Sequence, residues 1–390
     1  MLAKHIQSVP PSGIRRFFDI AATMDDVISL GIGEPDFVTP NAVIDAAVAS
    51  LAAGKTGYTS NAGLLELREA VAAHLNGLYG FPVEADQILI TVGVSEAMEL
   101  AMLALLNPGD EVLIPEPCFV SYGPLARFAH GQVVHVPTSE ERNFEVTAED
   151  IASRITSRTR MIFIGYPNNP TGAVLKRETL EEIAALAEAH DLILLSDEIY
   201  DQLIYGEAKS MGHASAWAVE SLRERSIILG GFSKAYAMTG WRLGYAVAPY
   251  SIYKGLYKVH QYMVMSAPTM AQYGALAAIQ ECAPDVERMR RAYDGRRRVL
   301  VDSLRAAGLS TFEPEGAFYC FPDIRSTGLS SEDFAQGLIR EESVAVVPGD
   351  AFGPSGEGFV RCSYATADDK VAEAGRRIAR FAQKCRDACP

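Results

Sequence analysis

MIFIGYPNNPTGAVLKRETLEEIAALAEAHDLILLSDEIY, residues 161–200, decides the fold. It opens on an apolar run, Met161 to Gly165, and breaks at a cluster of Pro, Asn and Gly that favours a turn. A helical repeat follows over Thr179 to Ala189, and a second apolar run over Leu192 to Leu195. Strand, helix and strand in succession form the βαβ unit, which lays two parallel strands side by side with the helix across one face.

The same alternation extends outward from this stretch. Strand-like runs lie upstream at Gln87 to Val92, Glu111 to Ile114 and Gln132 to Val136, and downstream at Ile227 to Leu229, with a helical pattern at Glu96 to Leu106. This order predicts an α/β fold in which a mostly parallel sheet carries helices on both faces. Near Pro284 the pattern changes. A long polar helix is expected over Val286 to Ala306, then FEPEGAFYCFPDI, a run of short strands and helices, and an amphipathic helix over Asp368 to Asp387. The expected division is a large domain over 33–283 and a smaller α+β domain over 284–390, joined by part of an N-terminal arm, 1–32.

Composition narrows the function. The formal net charge of -14 argues against a nucleic-acid surface, which needs clustered positive charge. Arg288, Arg290, Arg291, Arg296, Arg297 and Arg298 are interleaved with Asp285, Glu287 and Asp294, which reads as a solvated helix face rather than a phosphate-binding one. No apolar run has the length of a membrane helix, and the first residues lack a signal-peptide core, so no membrane partner is expected. The six cysteines show neither paired CxxC nor zinc spacing, so no metal is expected; free thiols in a reducing, cytoplasmic compartment are.

In open parallel sheets, ligands bind at the carboxyl ends of the strands. After Met161 to Gly165 come Asn168 and Asn169; after Leu192 to Leu195 come Asp197 and Tyr200; after Ile227 to Leu229 come Ser233, Lys234 and Arg242. Singly, each has a plain explanation. A lysine is usually at the surface, an aspartate often caps a helix, and PNNPTG is a turn. Jointly, an amide, a carboxylate with a phenol, and a lysine delivered to one sheet edge are hard to ascribe to packing.

Longer motifs run in order along the chain: SLGIGEPDF, KTGYTSNAGLLELREAV, PNNPTGAVL, SDEIY, GFSKAYAMTGWRLGY, GAFY, VAVVPGDAF and VRCSYAT. Together they resemble the fold-type-I enzymes dependent on pyridoxal 5'-phosphate (PLP). This is the aspartate aminotransferase superfamily, and the resemblance is nearest to its prokaryotic aromatic and broad-specificity branch. The resemblance implies a seven-stranded, mostly parallel sheet in the large domain. It also implies a homodimer with shared active sites, acting on an amino acid and a 2-oxo acid.

Residue by residue, the resemblance makes Lys234 the amine that bonds the cofactor aldehyde and then serves as a base beside the substrate Cα. Asp197 becomes the partner of the pyridine nitrogen, whose protonation suits the ring to accept carbanion density. Asn169 and Tyr200 bond the phenolic oxygen, and a helix beginning near Asp197 would turn Tyr200 to the same side. Gly93, Val94 and Ser95, at the start of a helix, offer amides to the phosphate. Arg242 and Ser233 add a planar cation and a hydroxyl, and Tyr58 reaches the phosphate of a neighbouring subunit. The family usually has a smaller residue where Val94 stands. Phe119 stacks on the ring. Arg361 grips the substrate α-carboxylate, with Asn169 beside it, and Gly33 lets the backbone approach. Arg15, Arg16, Phe17 and Phe18 are candidates to meet the substrate side chain.

Rival readings are a nicotinamide dehydrogenase and a serine hydrolase. Gly31-Ile32-Gly33 leads into Glu34-Pro35-Asp36 rather than a glycine-rich helix start, and GFSKA has Ala235 where a nucleophile elbow needs glycine. A transcription regulator would need a DNA-binding domain, and GEPDF is expected too near the start to leave room for one. Within the family, a C–S lyase or an aspartate- or alanine-type aminotransferase shares the same cofactor residues. Aromatic donors with 2-oxoglutarate as acceptor are the expected pairing.

Overall fold

The computed structural model describes residues 2–7, 9 and 26–388, so Arg15, Arg16, Phe17 and Phe18 lie outside the described residues. Twelve strands occur among them. They are β1 (Ile28–Ser29), β2 (Ile88–Thr91), β3 (Glu111–Glu116), β4 (Gln132–Pro137), β5 (Thr159–Gly165), β6 (Ile193–Asp197), β7 (Ser226–Gly231), β8 (Gly244–Val247), β9 (Tyr319–Cys320), β10 (Val344–Ala345), β11 (Val347–Pro348) and β12 (Val360–Ser363).

Seven of these form the central sheet in the order β2-β8-β7-β6-β5-β3-β4, with β8 antiparallel to both its neighbours and the other pairings parallel. Side chains alternate across it, as a pleated strand requires. Leu113, Ile162, Leu194 and Ile228 enter one buried cluster, while Val112, Met161, Leu195 and Leu229 enter another on the opposite face. Helices cover both sides, which is why the inner strands read as continuous apolar runs. The strand β8 was not anticipated. Its GYAV is short and follows the Lys234 motif with only a turn between, so no helical repeat marks it as a separate unit.

A third buried cluster unites Ile28 and Leu30 with Met289, Tyr293, Leu300, Phe318, Phe334, Val371 and Ile378. It is built on two small sheets, β11-β12-β9 and the parallel pair β1-β10, under the helices Ala283–Ala306, Ser331–Glu342 and Asp368–Ala388. The pairing Ile28↔Val344 shows the segment just before 33 joining this second core.

The arginine-rich helix corrects one expectation. Arg288, Arg291 and Arg298 are exposed, but Arg290, Arg296 and Arg297 are buried. Arg296 bridges Asp36 at 2.8 Å and Asp368 at 2.5 Å; Arg297 pairs with Asp294 at 2.8 Å and with Glu313. One face of this helix crosses the second core, so arginine stems there lie along apolar surface and their heads take carboxylate partners. The helix is therefore only half solvated.

Candidate active site

Three adjacent strand ends meet at a cavity of about 550 Å³. Because β6 lies between β5 and β7, with Gly165↔Asp197 and Asp197↔Leu229 in register, the residues just past each strand face one space. From β5 comes Asn169. Its neighbour Asn168 is consumed by the turn: its Oδ1 accepts from the Thr171 amide (3.1 Å) and hydroxyl (2.8 Å). From β6 come Asp197 and Tyr200, and from β7 come Ser233 and Lys234. The helix expected at Asp197 is absent; residues 199–202 form a turn, and this turn brings Tyr200 to the cavity.

Lys234 Nζ donates to the Gly33 carbonyl at 2.7 Å. Burial lowers its pKa to about 8; Glu34 and Asp197 oppose the drop, and Arg361 and Arg242 add to it. An amine so placed keeps a substantial neutral fraction near neutral pH, as a nucleophile or base requires. Burial pushes the Asp197 carboxyl up to about 6, held back by hydrogen bonds from the Tyr122 hydroxyl (2.8 Å) and the Ile199 amide (3.2 Å). A buried carboxylate in that state favours a cationic partner.

At the other end of the cavity the helix Gly93–Leu105 presents its N-terminus. Val94 and Ser95 line the space, and Gly93 sits behind them at φ +72°. A Cβ on Gly93 would stand 2.8 Å from Arg242 Nη2, so glycine both permits this backbone and lets the guanidinium lie against it. Free amides, a cation and the nearby Ser233 hydroxyl together make an anion site.

Arg361 projects from β12, only 2% exposed. Its Nη1 donates to Asn169 Oδ1 at 2.9 Å and its Nη2 to the Gly31 carbonyl at 2.5 Å; its Nε is buried with no partner. The rings of Tyr319 and Phe352 flank it, with centroids 4.5 and 4.9 Å from its Cζ. Gly33 closes against this group: a Cβ there would meet Tyr319 Oη at 2.6 Å. The Tyr319 and Tyr200 hydroxyls are 2.8 Å apart. Phe119 lines the cavity and stands edge-on to Tyr122, at 5.8 Å and 80°.

Of the residues expected to hold the cofactor and the substrate carboxylate, all but two line the cavity. Gly93 backs it against Arg242, and Tyr58 stands away from it, 82% exposed. Tyr122, Tyr319 and Glu34 line it without having been singled out. Tyr319 lies inside the quoted GAFY and Glu34 inside GEPDF, so motifs marked their neighbourhoods. Tyr122 begins a helix, Tyr122–Phe128, and no periodicity distinguishes it from a core residue.

The residues fit a phosphorylated planar aldehyde. A helix N-terminus with Arg242 suits the phosphate, Asp197 suits a ring nitrogen, and a neutralisable lysine suits the aldehyde. The unpartnered Nε of Arg361 leaves a guanidinium edge for a second anion.

The family described as Aminotransferase class I and II matches residues 25–378. A putative aminotransferase of Bacillus subtilis, YugH, is 49% identical over 98% of both chains. An aspartate aminotransferase of Pyrococcus abyssi is 46% identical over 97% of both. The crystal structure of an aromatic aminotransferase from Pyrococcus horikoshii superposes with a TM-score of 0.90 at 44% identity, covering 94% of this chain and 99% of that one.

Proposed function

The chain belongs to the class I and II aminotransferases, PLP-dependent enzymes of fold type I, and from that premise we propose that it moves the amino group of aromatic amino acids to 2-oxoglutarate at the cavity around Lys234. The observation that carries this assignment is the sequestered Lys234 amine beside Asp197 on one hand and Arg361 on the other. PLP, when bound, supplies an aldehyde for the amine and a ring that accepts the electrons of the broken Cα bond.

The chain's own residues hold and orient. Gly93, Val94, Ser95, Ser233 and Arg242 receive the phosphate. Asp197 keeps a proton on the ring nitrogen, and Phe119 packs on the ring face. Asn169 and Tyr200 donate to the phenolic oxygen. Asn169 Oδ1 already accepts from Arg361, so its amide nitrogen is the atom left to donate. Arg361 binds the α-carboxylate, with the Gly33 backbone at its side, so the Cα proton stands toward Lys234. With PLP held there, the Lys234 amine would be placed to take the Cα proton as a base, a role that the lowered pKa suits.

The aromatic preference rests on apolar lining from Ile32, Pro167, Ile199 and Tyr319, and on the aromatic aminotransferase among the relatives. Tyr58 and Arg242 are both exposed in the single chain, as expected if Tyr58 of one subunit reaches the phosphate in a homodimer. No helix among the described residues is long and apolar enough to cross a membrane.

A half-reaction screen tests the reading. Tyrosine or phenylalanine alone should bleach the absorbance of the loaded enzyme, and 2-oxoglutarate should restore it. A response to aspartate with none to aromatic donors would replace the aromatic reading. Release of ammonia and pyruvate from cysteine conjugates would replace transamination itself.

A further inference from the structure

The turn that carries Asp197 and Tyr200 has a second face. Asp197, Ile199 and Tyr200 line the cavity, while two acidic residues of the same stretch do not: Glu198, 3% exposed, and Asp201. The Glu198 carboxylate accepts three hydrogen bonds, from the Ser196 hydroxyl (2.9 Å), the Ala216 amide (2.9 Å) and His213 Nε2 (3.0 Å). The Asp201 carboxylate accepts from the Tyr79 hydroxyl at 2.6 Å and from the Gln202 amide at 2.8 Å. Tyr79 ends the helix Leu65–Tyr79, and its ring stands edge-on to His213 at 5.7 Å. Burial acts to discharge His213, but Glu198 and Asp201 outweigh it and raise its pKa above the ordinary value.

We propose that His213 and Glu198, with Tyr79 and Asp201, are positioning residues that fix the Asp197–Tyr200 turn from behind and so set where its carboxylate and phenol stand in the cavity. This rests on the cofactor roles given above to Asp197 and Tyr200. Asp197 ends β6, and Tyr200 stands on the irregular backbone just after it, with no helix to stiffen that segment. Glu198, buried with three donors, and Asp201, half-buried with two, supply that stiffness instead, because each loses much if its partners move. None of the four bracing side chains need touch cofactor or substrate; they act through the backbone of the turn.

The test uses the full chain stripped of and reloaded with PLP. His213→Ala should weaken PLP affinity on the order of tenfold, measured by equilibrium titration. It should also move the pH midpoint of the lysine-bound cofactor's absorbance by about half a unit, because that midpoint reports the charges held against the ring. His213→Gln, whose amide can donate where Nε2 does, should restore most of both. The amino-acid KM should change less than kcat, since Arg361 sits on another strand. Tyr79→Phe, a milder change, should shift the midpoint in the same direction and keeps the idea open to refutation should His213→Ala not fold. A folded His213→Ala or Tyr79→Phe chain with unchanged affinity and midpoint overturns the proposal. Asp197→Asn, run in parallel, separates the two readings. A shift there with none in the His213 and Tyr79 variants sinks only the bracing; no shift in any of them sinks the cofactor reading beneath it.

Discussion

Stripping the cofactor and following its recapture across pH examines Lys234 directly. The Lys234 pKa drops from 10.5 to about 8. At pH 7 roughly one amine in ten is then neutral, against about three in ten thousand for an ordinary lysine, a gain of roughly 300-fold in reactive amine. Stopped-flow mixing of the stripped chain with PLP should give a covalent-capture rate that climbs with pH through a midpoint near 8. Glu34→Gln removes the largest opposing influence, so its midpoint should fall below the wild-type value. The same drop has a stability consequence. The folded pKa lies below the unfolded one, so the fold disfavours the ammonium; the cost is full below about pH 8 and is relieved as pH rises toward 10.5. At about 1.4 kcal/mol per pH unit the cost is on the order of 3–4 kcal/mol. Stripped Lys234→Met should therefore resist urea better than stripped wild type at pH 7, with the gap closing by pH 10. A capture midpoint near 10, with no stability gap at pH 7, would refute the argument that burial sets this amine's chemistry.

Other substitutions report on the remaining parts of the site. Asp197→Asn should still bind PLP yet lower kcat by up to about 10³-fold, since a carboxylate about 4 Å from a cation is worth roughly 4 kcal/mol at an effective dielectric of 20; single-turnover rates measure it. Arg361→Lys keeps the charge but loses the planar fork, and the loss of one charge-assisted hydrogen bond, about 2 kcal/mol, should lower kcat/KM roughly 30-fold for every donor tried. Sedimentation should show a dimer, and Tyr58→Phe should weaken PLP affinity without altering the spectrum of the bound form; an unchanged affinity argues against a shared site.

Much of this was legible in the sequence, for reasons that differ by residue. Lys234, Asp197 and Asn169 follow strands whose apolar runs are continuous, so the strand ends, and hence the site edge, could be located from periodicity alone. The strand β8 was not legible, because four residues after a tight turn carry no repeat to read. Tyr200 was placed in the site for the wrong local reason: no helix follows Asp197, and a turn does the work. The burial of Arg296 was missed because its partners Asp36 and Asp368 are far off in sequence; the local acids Glu287 and Asp294 do pair with Arg290 and Arg297, and such pairs give a linear reading no sign that this helix face is covered. Tyr122 escaped for the same reason, since its bond to Asp197 spans 75 residues.

The arginines also show how the site declares its ligands. In the helix Ala283–Ala306, Arg290, Arg296 and Arg297 each meet a carboxylate, as buried guanidinium groups ordinarily must. In the cavity, Arg361 donates to Asn169 Oδ1 and a backbone carbonyl, and Arg242 to the Thr239 carbonyl at 3.1 Å. No carboxylate among the described residues forms an ion pair with either. Neutral acceptors fix the direction of a guanidinium without cancelling its charge, so each group is oriented and left electrostatically hungry. For Arg361, 2% exposed, a bound anion is then the natural compensation, and Arg242, set apart from it at a helix N-terminus, offers a place for a second. A phosphate and a carboxylate answer that demand. In a chain of net charge -14, two arginines without acidic partners that converge on one cavity suit that cavity to anions.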